Sequence, residues 1–301
     1  MIKAGIDIGT NTALLVIADV DTDRTTKILA DAYEVPRLGE GLASSGVISE
    51  EACQRTASAL SNFRTILEQF APSHVRAVAT SAMREARNSS QILAELECAL
   101  GNSIDVISGE VEAELTFNGA VGVRNHGVVM IDIGGGSTEF AYGVQGQVLS
   151  RETTNLGAVR LTEQFAHAHE PMAAGKDSLR ATIRLALAPL QPLFKQKTPR
   201  AIGVAGTPTA LAMLDLELEE FDAAVVDGYC ITAERVRQLS DWLLSLTADD
   251  LRNLPGLHAR RADIVPVGSM ILAEALEVFN LDTLEVTVRG LRYGLLQGTS
   301  L

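Results

Sequence analysis

The sequence contains few aromatic residues and few cysteines. Aromatic side chains make up 4% of its 301 residues, and its three cysteines, Cys53, Cys98 and Cys230, form no CxxC pair. This spacing argues against a zinc or disulfide framework and is typical of reduced thiols in the cytoplasm. No stretch approaches the roughly 20 apolar residues of a membrane span, and no signal-peptide core follows the first residues. We therefore expect a cytoplasmic protein with no membrane partner.

The sequence is also short of positive charge. Lysine and arginine number 25 against 38 acidic residues, which gives a formal charge of −13. Nucleic-acid polymers and anionic lipids are bound through a basic face, so this charge argues against both as partners. An anionic substrate must then be held by local groups. Apolar residues make up 47% of the chain, and its length favours two globular domains, since a domain usually has roughly 100–200 residues.

An internal repeat is the strongest pattern that is present. Gly5-Ile-Asp-Ile-Gly-Thr-Asn-Thr and Met130-Ile-Asp-Ile-Gly-Gly-Gly-Ser-Thr-Glu each join an apolar strand ending in aspartate to a small polar turn. A second strand follows each turn, so both segments are predicted to be β-hairpins. The repeat indicates two related domains, 1–124 and 125–301, with the last residues able to pack back on the first domain.

Alternating helices and strands are predicted after each hairpin. The expected strands are 27–35, 75–79, 104–107, 147–155, 201–205 and 284–288. The expected helices are 49–70, 89–100, 178–194, 207–214, 233–245 and 262–279. This order predicts an α/β fold in which helices cover a mixed sheet, with ligands at the carboxyl ends of strands.

Three glycine-containing turns are candidate phosphate-binding loops, because backbone N–H groups that side chains do not shield can donate to phosphate oxygens. The strand-end residues Asp7 and Asp132 are placed to hold Mg²⁺ directly or through water. One such turn alone is also an ordinary hairpin tip or strand-to-helix connection, but its repetition favours phosphate binding. The candidate residues are Gly9, Thr10, Asn11, Thr12, Gly134, Gly135, Gly136, Ser137, Thr138, Gly206 and Thr207.

In this order, the loops that begin at Asp7, Asp132 and Ala205 resemble those of the actin/sugar kinase/Hsp70 superfamily. With the segments Ile107-Ser-Gly-Glu-Val-Glu-Ala and Val288-Arg-Gly-Leu-Arg-Tyr-Gly, nearly the whole chain more narrowly resembles the exopolyphosphatase and guanosine pentaphosphate phosphohydrolase (Ppx/GppA) family. The resemblance implies duplicated actin-like (ribonuclease H-like) domains with a cleft between two lobes. It also implies a homodimer.

The resemblance implies that Glu112 is the base that activates water and that Arg84 holds the phosphate chain. A place in the first turn of a predicted helix fits this role for Glu112, since a helix N-terminus keeps a carboxylate ionised. The sequence departs from the family in having Val111 where a glutamate is common.

The resemblance further implies a divalent-cation site, for Mg²⁺ or another divalent cation. Asp132 and Glu139 would organise this cation in the second half, with Asp7 contributing from the first. Three arginines remain open between anion binding and ion pairing: Arg37, Arg289 and Arg292.

We therefore expect hydrolysis of a terminal phosphoanhydride, with orthophosphate released from inorganic polyphosphate or guanosine pentaphosphate. Guanosine tetraphosphate is a further expected ligand. One alternative is an ATP-dependent small-molecule kinase of the same superfamily, although the acidic segment 217–227 shows no clear nucleoside signature. The other alternative is a non-catalytic sensor that binds (p)ppGpp.

Overall fold

The computed structural model describes residues 1–21, 26–122, 124, 126–165, 175–194 and 200–297. They form two compact units. Unit 1 contains Met1–Gly119 and the chain from Leu291 onward, and unit 2 contains Ala120–Gly290. The expected boundary after residue 124 falls close to the beginning of unit 2. Within the described ranges, no helix is long and apolar enough to cross a membrane.

Unit 1 is built on a five-stranded sheet. Its strands are β1 (Ile2–Ile8), β2 (Ala13–Val20), β3 (Thr26–Glu34), β4 (His74–Ala79) and β5 (Ile104–Val106). Its helices before the chain enters unit 2 are α1 (Leu42–Ser45), α2 (Glu50–Phe70), α3 (Ser81–Glu85), α4 (Ser89–Leu100) and α5 (Gly109–Val121), whose last turn passes into unit 2. The strand order is β3-β2-β1-β4-β5, with antiparallel pairing among the first three strands and parallel pairing from β1 to β4 and from β4 to β5.

Unit 2 is built on a six-stranded sheet. Its strands are β6 (Val128–Ile133), β7 (Thr138–Val144), β8 (Gln147–Thr154), β9 (Arg200–Val204), β10 (Cys230–Thr232) and β11 (Thr283–Val286). Its helices are α6 (Ala158–Phe165), α7 (Lys176–Leu187), α8 (Gln191–Phe194), α9 (Gly206–Asp215), α10 (Ala223–Val226), α11 (Ala233–Ser245), α12 (Ala248–Arg252) and α13 (Val265–Val278).

The two sheets share one topology. The order in unit 2 is β10-β11-β9-β6-β7-β8, and its run β8-β7-β6-β9-β11 repeats β3-β2-β1-β4-β5 of unit 1. Pairing repeats as well, because β6 pairs antiparallel with β7 and parallel with β9. β10 is an addition at the edge. The α/β fold expected from the repeated hairpins is therefore confirmed as two related lobes.

Each unit has its own apolar core. In unit 1, helix α2 begins after its N-cap Ser49, whose hydroxyl accepts from the Ala52 N–H at 3.2 Å, and it buries Phe63 against the sheet. In unit 2, Phe140 and Phe279 are nearly fully buried and pack edge to face with ring centroids 5.4 Å apart. Burial of one such ring contributes about 2–3 kcal/mol, so these cores fix the strands that carry the hairpin tips.

The chain returns to unit 1 through the short helix α14 (Leu291–Gly294) and a 3₁₀ turn (Leu295–Gln297). Leu291 and Leu295 pack against a small apolar cluster that includes Leu115 of α5. A Cβ on Gly294 would overlap the Leu115 carbonyl oxygen, and a Cβ on Gly5 would overlap the Arg292 carbonyl oxygen. Glycine at both positions therefore lets the returning backbone lie directly on β1 and α5.

Some predicted boundaries are wrong for identifiable reasons. The helix expected at 178–194 breaks at a 3₁₀ turn, Ala188–Leu190, because Pro189 has no N–H to donate. The strand expected at 284–288 ends at Val286, since the Thr287 hydroxyl and the Val288 N–H both donate to Asp227, at 2.8 and 3.1 Å. The helix expected at 262–279 begins at Val265, with proline in its first turn.

Candidate functional site

The two hairpin tips have the same backbone turn. Gly9 N donates to Thr12 O at 2.9 Å in unit 1, and Gly134 N donates to Ser137 O at 3.0 Å in unit 2. A Cβ on either glycine would lie 3.1 or 3.0 Å from that same acceptor oxygen. The repeated sequence therefore encodes a repeated turn, closed by one hydrogen bond in each unit.

The tip in unit 1 contains buried polar atoms suited to a ligand. Thr10 and Asn11 are only 6% and 5% exposed, and among the described residues Thr10 Oγ1 and Asn11 Oδ1 have no hydrogen-bond partner. Backbone bonds fix the tip, since Gly39 N donates to Thr10 O at 2.8 Å and Arg37 N donates to Asn11 O at 3.0 Å. A buried polar atom left unpaired costs roughly 1–3 kcal/mol, which a bound ligand or water would recover.

Two carboxylates lie side by side at the corresponding place in unit 2. Asp132 on β6 is directly opposite Glu139 on β7, so both side chains are on one face of the sheet. Glu139 is 1% exposed, and its Oε1 accepts from Thr153 Oγ1 at 2.9 Å. In unit 1, Asp7 is half-buried near the end of β1, between the buried Ile6 and Ile8.

These carboxylates suit a hard divalent cation. In the part of the chain that the structure describes, no group of three or more aspartate, glutamate, histidine or cysteine side chains could hold a metal. Mg²⁺ is commonly held by one or two carboxylates, with water and substrate phosphates completing its shell. The pair of half-buried Asp132 and buried Glu139 fits that donor set.

Glu112 lies in a buried ion pair in unit 1. Ser108 caps the first turn of α5, where its Oγ accepts from Val111 N at 3.3 Å, and this turn carries Glu112. Arg84 Nη1 donates to Glu112 Oε2 at 2.6 Å and to Ile107 O at 2.9 Å. The Glu112 side chain is 10% exposed and that of Arg84 is 22% exposed.

Burial raises the pKa of the Glu112 carboxyl above its usual value of 4.5, while Arg84 and the Thr80 hydroxyl partly oppose the shift. Removing water from a charged carboxylate disfavours its ionised form, and a neighbouring cation favours that form. A carboxylate whose pKa lies above its usual value is a stronger base than an ordinary surface glutamate.

Two neighbours of Glu112 clarify its surroundings. Arg84 also lines a cavity of about 390 Å³ whose other walls are Met83, Ser89, Ser90, Leu93 and Val106. Val111 packs against the apolar cluster of Leu115, Leu291 and Leu295. Valine therefore contributes packing at a position where a carboxylate would face that apolar cluster.

The third loop carries backbone strain. Ala205 has φ 71° and ψ −166°, a region that residues with a Cβ rarely adopt, and no described side chain caps helix α9, which begins at Gly206. A Cβ on Gly206 would overlap the Arg261 guanidinium, and one on Gly268 would overlap the Thr207 hydroxyl. Only glycine at 206 therefore allows Arg261 to lie directly on the loop.

Two of the three open arginines form ion pairs within unit 1. Arg37 Nε lies 3.3 Å from Glu40, and Arg292 Nη2 lies 3.1 Å from Asp31. For Arg289 the structure gives a backbone contact, from its N–H to Thr287 Oγ1 at 3.2 Å. These contacts favour ion pairing for Arg37 and Arg292.

The sequence model of the Ppx/GppA phosphatase family matches residues 16–301. The chain belongs to this family. A Ppx/GppA relative called exopolyphosphatase 2, from Mycobacterium tuberculosis, is 32% identical over 283 residues, which cover 90% of this chain and 88% of the relative.

Solved Ppx/GppA structures agree with this assignment. An exopolyphosphatase from Cytophaga hutchinsonii has a TM-score of 0.89 at 30% identity, and the match covers 98% of this chain and 96% of that one. The Ppx/GppA family member of Aquifex aeolicus has a TM-score of 0.82 at 26% identity, with the same coverage of 98% and 96%.

Several residues that contact the loops of this Ppx/GppA protein were not predicted from the sequence, among them Arg261, Gly157 and Arg160. Arg261 lies on Gly206, and Gly157 and Arg160 contact the loop at 134–138. The only available signal for Arg261 was a pair of arginines in an acidic chain. For Gly157 and Arg160, the available signal was that a glycine and an arginine stand three residues apart just after the strand β8.

Proposed function

We propose that this Ppx/GppA phosphatase hydrolyses the terminal phosphoanhydride of inorganic polyphosphate and releases orthophosphate. The exopolyphosphatase names of the relatives in Mycobacterium tuberculosis and Cytophaga hutchinsonii support this substrate class. The observation that carries the proposal is the Glu112–Arg84 pair. It combines a buried carboxylate with a raised pKa and an arginine that fixes its position.

In the proposed reaction, Glu112 accepts a proton from water as the water oxygen attacks the terminal phosphorus. A new P–O bond forms and the bridging P–O bond breaks, so the bridging oxygen leaves as the end of a shortened chain. N–H groups of the glycine loops donate to the phosphoryl oxygens, where negative charge must be stabilised in the transition state. Arg84 holds Glu112 in place through its bond to Oε2.

A divalent cation completes the proposed machinery. Asp132 and Glu139 would hold Mg²⁺ or another divalent cation, with Asp7 contributing, and the cation would neutralise charge on the phosphate oxygens. Glu139 is 1% exposed, and a cation held there would offset part of the cost of burying its charge.

The tests of function are substrate comparisons. Rates of phosphate release from long polyphosphate, short polyphosphate, guanosine pentaphosphate and ATP would be measured together, with Glu112→Gln as control. We expect polyphosphate turnover, with guanosine pentaphosphate as a further substrate. The relatives do not favour a kinase or a non-catalytic sensor. Transfer of phosphate from ATP to a small acceptor, without polyphosphate hydrolysis, would establish a kinase. Tight (p)ppGpp binding without turnover would establish a non-catalytic sensor.

A homodimer and a cytoplasmic location are also part of the proposal. Size-exclusion chromatography with light scattering measures the first, and cell fractionation measures the second. A monomer at all accessible concentrations would overturn the proposed assembly.

A further inference from the structure

A short segment after β8 lies against the glycine loop of unit 2. Ala158 N donates to Gly134 O at 3.0 Å, and Val159 N donates to Gly135 O at 2.9 Å. Arg160 contributes twice, since its N–H donates to Gly135 O at 3.1 Å and its side-chain Nε donates to Gly136 O at 2.9 Å. Three successive loop carbonyls are thus held by the first residues of α6.

We propose that Arg160 is a positioning residue that aims the N–H groups of this loop at the phosphoryl group. The inference rests on the proposed role of the loop in phosphate binding. In a trans peptide, the C=O of one residue and the N–H of the next point in opposite directions. Holding the carbonyls of 134, 135 and 136 against α6 therefore turns the N–H groups of 135, 136 and 137 away from α6.

Arg160 differs from its neighbours because it acts through a side chain. The carbonyls of Gly134 and Gly135 accept from backbone N–H groups, which any residue except proline supplies. The carbonyl of Gly136 accepts from the Arg160 guanidinium, so the orientation of the following Ser137 N–H depends on the identity of residue 160. An arginine near a phosphate loop would ordinarily be taken for an anion ligand, but here its Nε is bonded to the loop.

Gly157 makes this contact possible. A Cβ at this position would overlap both the carbonyl oxygen of Gly135 and the backbone of Gly136. The backbone of the α6 N-terminus can therefore approach the loop only if residue 157 is glycine. Thr138 adds a further link, since its hydroxyl donates to Leu156 O, and this hydroxyl proton thus serves the scaffold of the loop.

Three substitutions separate a positioning role from a direct charge interaction. Arg160→Gln places an amide N–H donor at the position of Nε and removes the charge. Arg160→Met matches the length of the chain to that atom but has neither donor nor charge. Arg160→Lys keeps the charge but has a methylene at the position of Nε. Phosphate release from long polyphosphate gives kcat and KM, and thermal melting gives the stability of each variant.

We expect Arg160→Gln to retain kcat within about twofold. Arg160→Met and Arg160→Lys should each lose about five- to tenfold in kcat with little change in KM, because each loses one oriented hydrogen bond. If Arg160→Lys retains kcat while Arg160→Gln and Arg160→Met have a raised KM, the proposal is overturned in favour of direct anion binding. Equal losses in all three, or losses that follow the melting temperature, would also overturn it, as would wild-type kcat in all three.

Gly157→Ala provides a second test with a matched control. It is expected to lower kcat at least as much as Arg160→Met, because the added methyl group must displace the loop. The control is Gly175→Ala, where a Cβ would lie 3.6 Å from Phe165 O, an ordinary contact distance. Wild-type activity in Gly157→Ala would overturn the proposed close fit.

Failure of the underlying function is distinguishable from failure of this inference. Calorimetric binding of tripolyphosphate would be measured for Gly136→Ala and Ser137→Ala. If both bind and turn over as the wild type does, the loop is not the phosphate site, and its proposed part in the function fails although polyphosphate hydrolysis itself stands. If both are impaired but kcat of Arg160→Gln does not exceed that of Arg160→Met and Arg160→Lys, only the positioning role of Arg160 fails.

Discussion

Replacing Glu112 with glutamine tests the proposed base directly. The glutamine amide would keep an oxygen able to accept from Arg84 Nη1, which now lies 2.6 Å from Glu112 Oε2, but it could not accept a proton from water. General base catalysis contributes roughly 100- to 10,000-fold, or about 3–5 kcal/mol of transition-state stabilisation. We expect a loss of kcat in that range for phosphate release from long polyphosphate.

The stability of this variant supplies an independent measurement. Because the pKa of Glu112 is raised in the folded protein, the folded state binds more protons than the unfolded state between pH 4.5 and the raised pKa. The wild type therefore loses stability as the pH rises through that window, whereas the glutamine variant has no such loss from this position. We expect its free energy of unfolding at pH 7 to equal or exceed that of the wild type in urea titrations.

The control is Glu110→Gln, which alters an exposed carboxylate in the same helical turn. It should leave kcat and stability near those of the wild type. Glu112→Gln activity within a few-fold of the wild type would refute the assignment of the base. A marked loss of stability in Glu112→Gln alone would refute the reasoning that burial outweighs the ion pair.

Three further predictions follow from the same geometry. Arg84→Gln removes the cation that lowers the pKa of Glu112. The acid limb of the pH profile of kcat/KM should therefore move to higher pH. A shift to lower pH would contradict the pairing of Arg84 with Glu112. Ala205→Gly should raise the free energy of unfolding, measured in urea, by about 1 kcal/mol, because it relieves the strain at φ 71°. A decrease would show that no strain is stored at this residue. Chelation with EDTA should abolish activity, and added Mg²⁺ should restore it. Asp132→Asn should raise the Mg²⁺ concentration needed for half-maximal activity. If that concentration is unchanged, Asp132 is not part of the cation site.

The sequence was sufficient where local pattern determines structure. The strands ending near Asp7 and Asp132 were predicted from apolar alternation and glycine turns, and the closing bonds from Gly9 and Gly134 make the repeat visible in the backbone. The start of the helix expected at 49–70 was likewise predictable, because a capping hydroxyl at Ser49 followed by acidic residues is a local signal.

Contacts between distant parts of the chain were not predictable in this way. Arg261 lies on Gly206, although the two residues are separated by helices α9 to α12. Arg160 meets Gly136 across two strands, β7 and β8. Neither contact leaves a periodic trace in the sequence, because each depends on how packed elements bring two loops together. The partner of Arg84 was missed for the same reason, since Glu112 was identified as a base but not as an ion-pair partner.

The return of the chain to unit 1 imposes an order on biosynthesis. Leu291 and Leu295 cover the apolar cluster around Leu115, and Lys3 Nζ donates to Leu296 O at 3.0 Å. A ribosome therefore releases every residue of unit 2 before unit 1 receives its last apolar contacts. The helix that carries Glu112 is thus packed completely only after residues 291–296 have emerged, so a nascent chain cannot complete the packing of this helix before all of unit 2 has been synthesised.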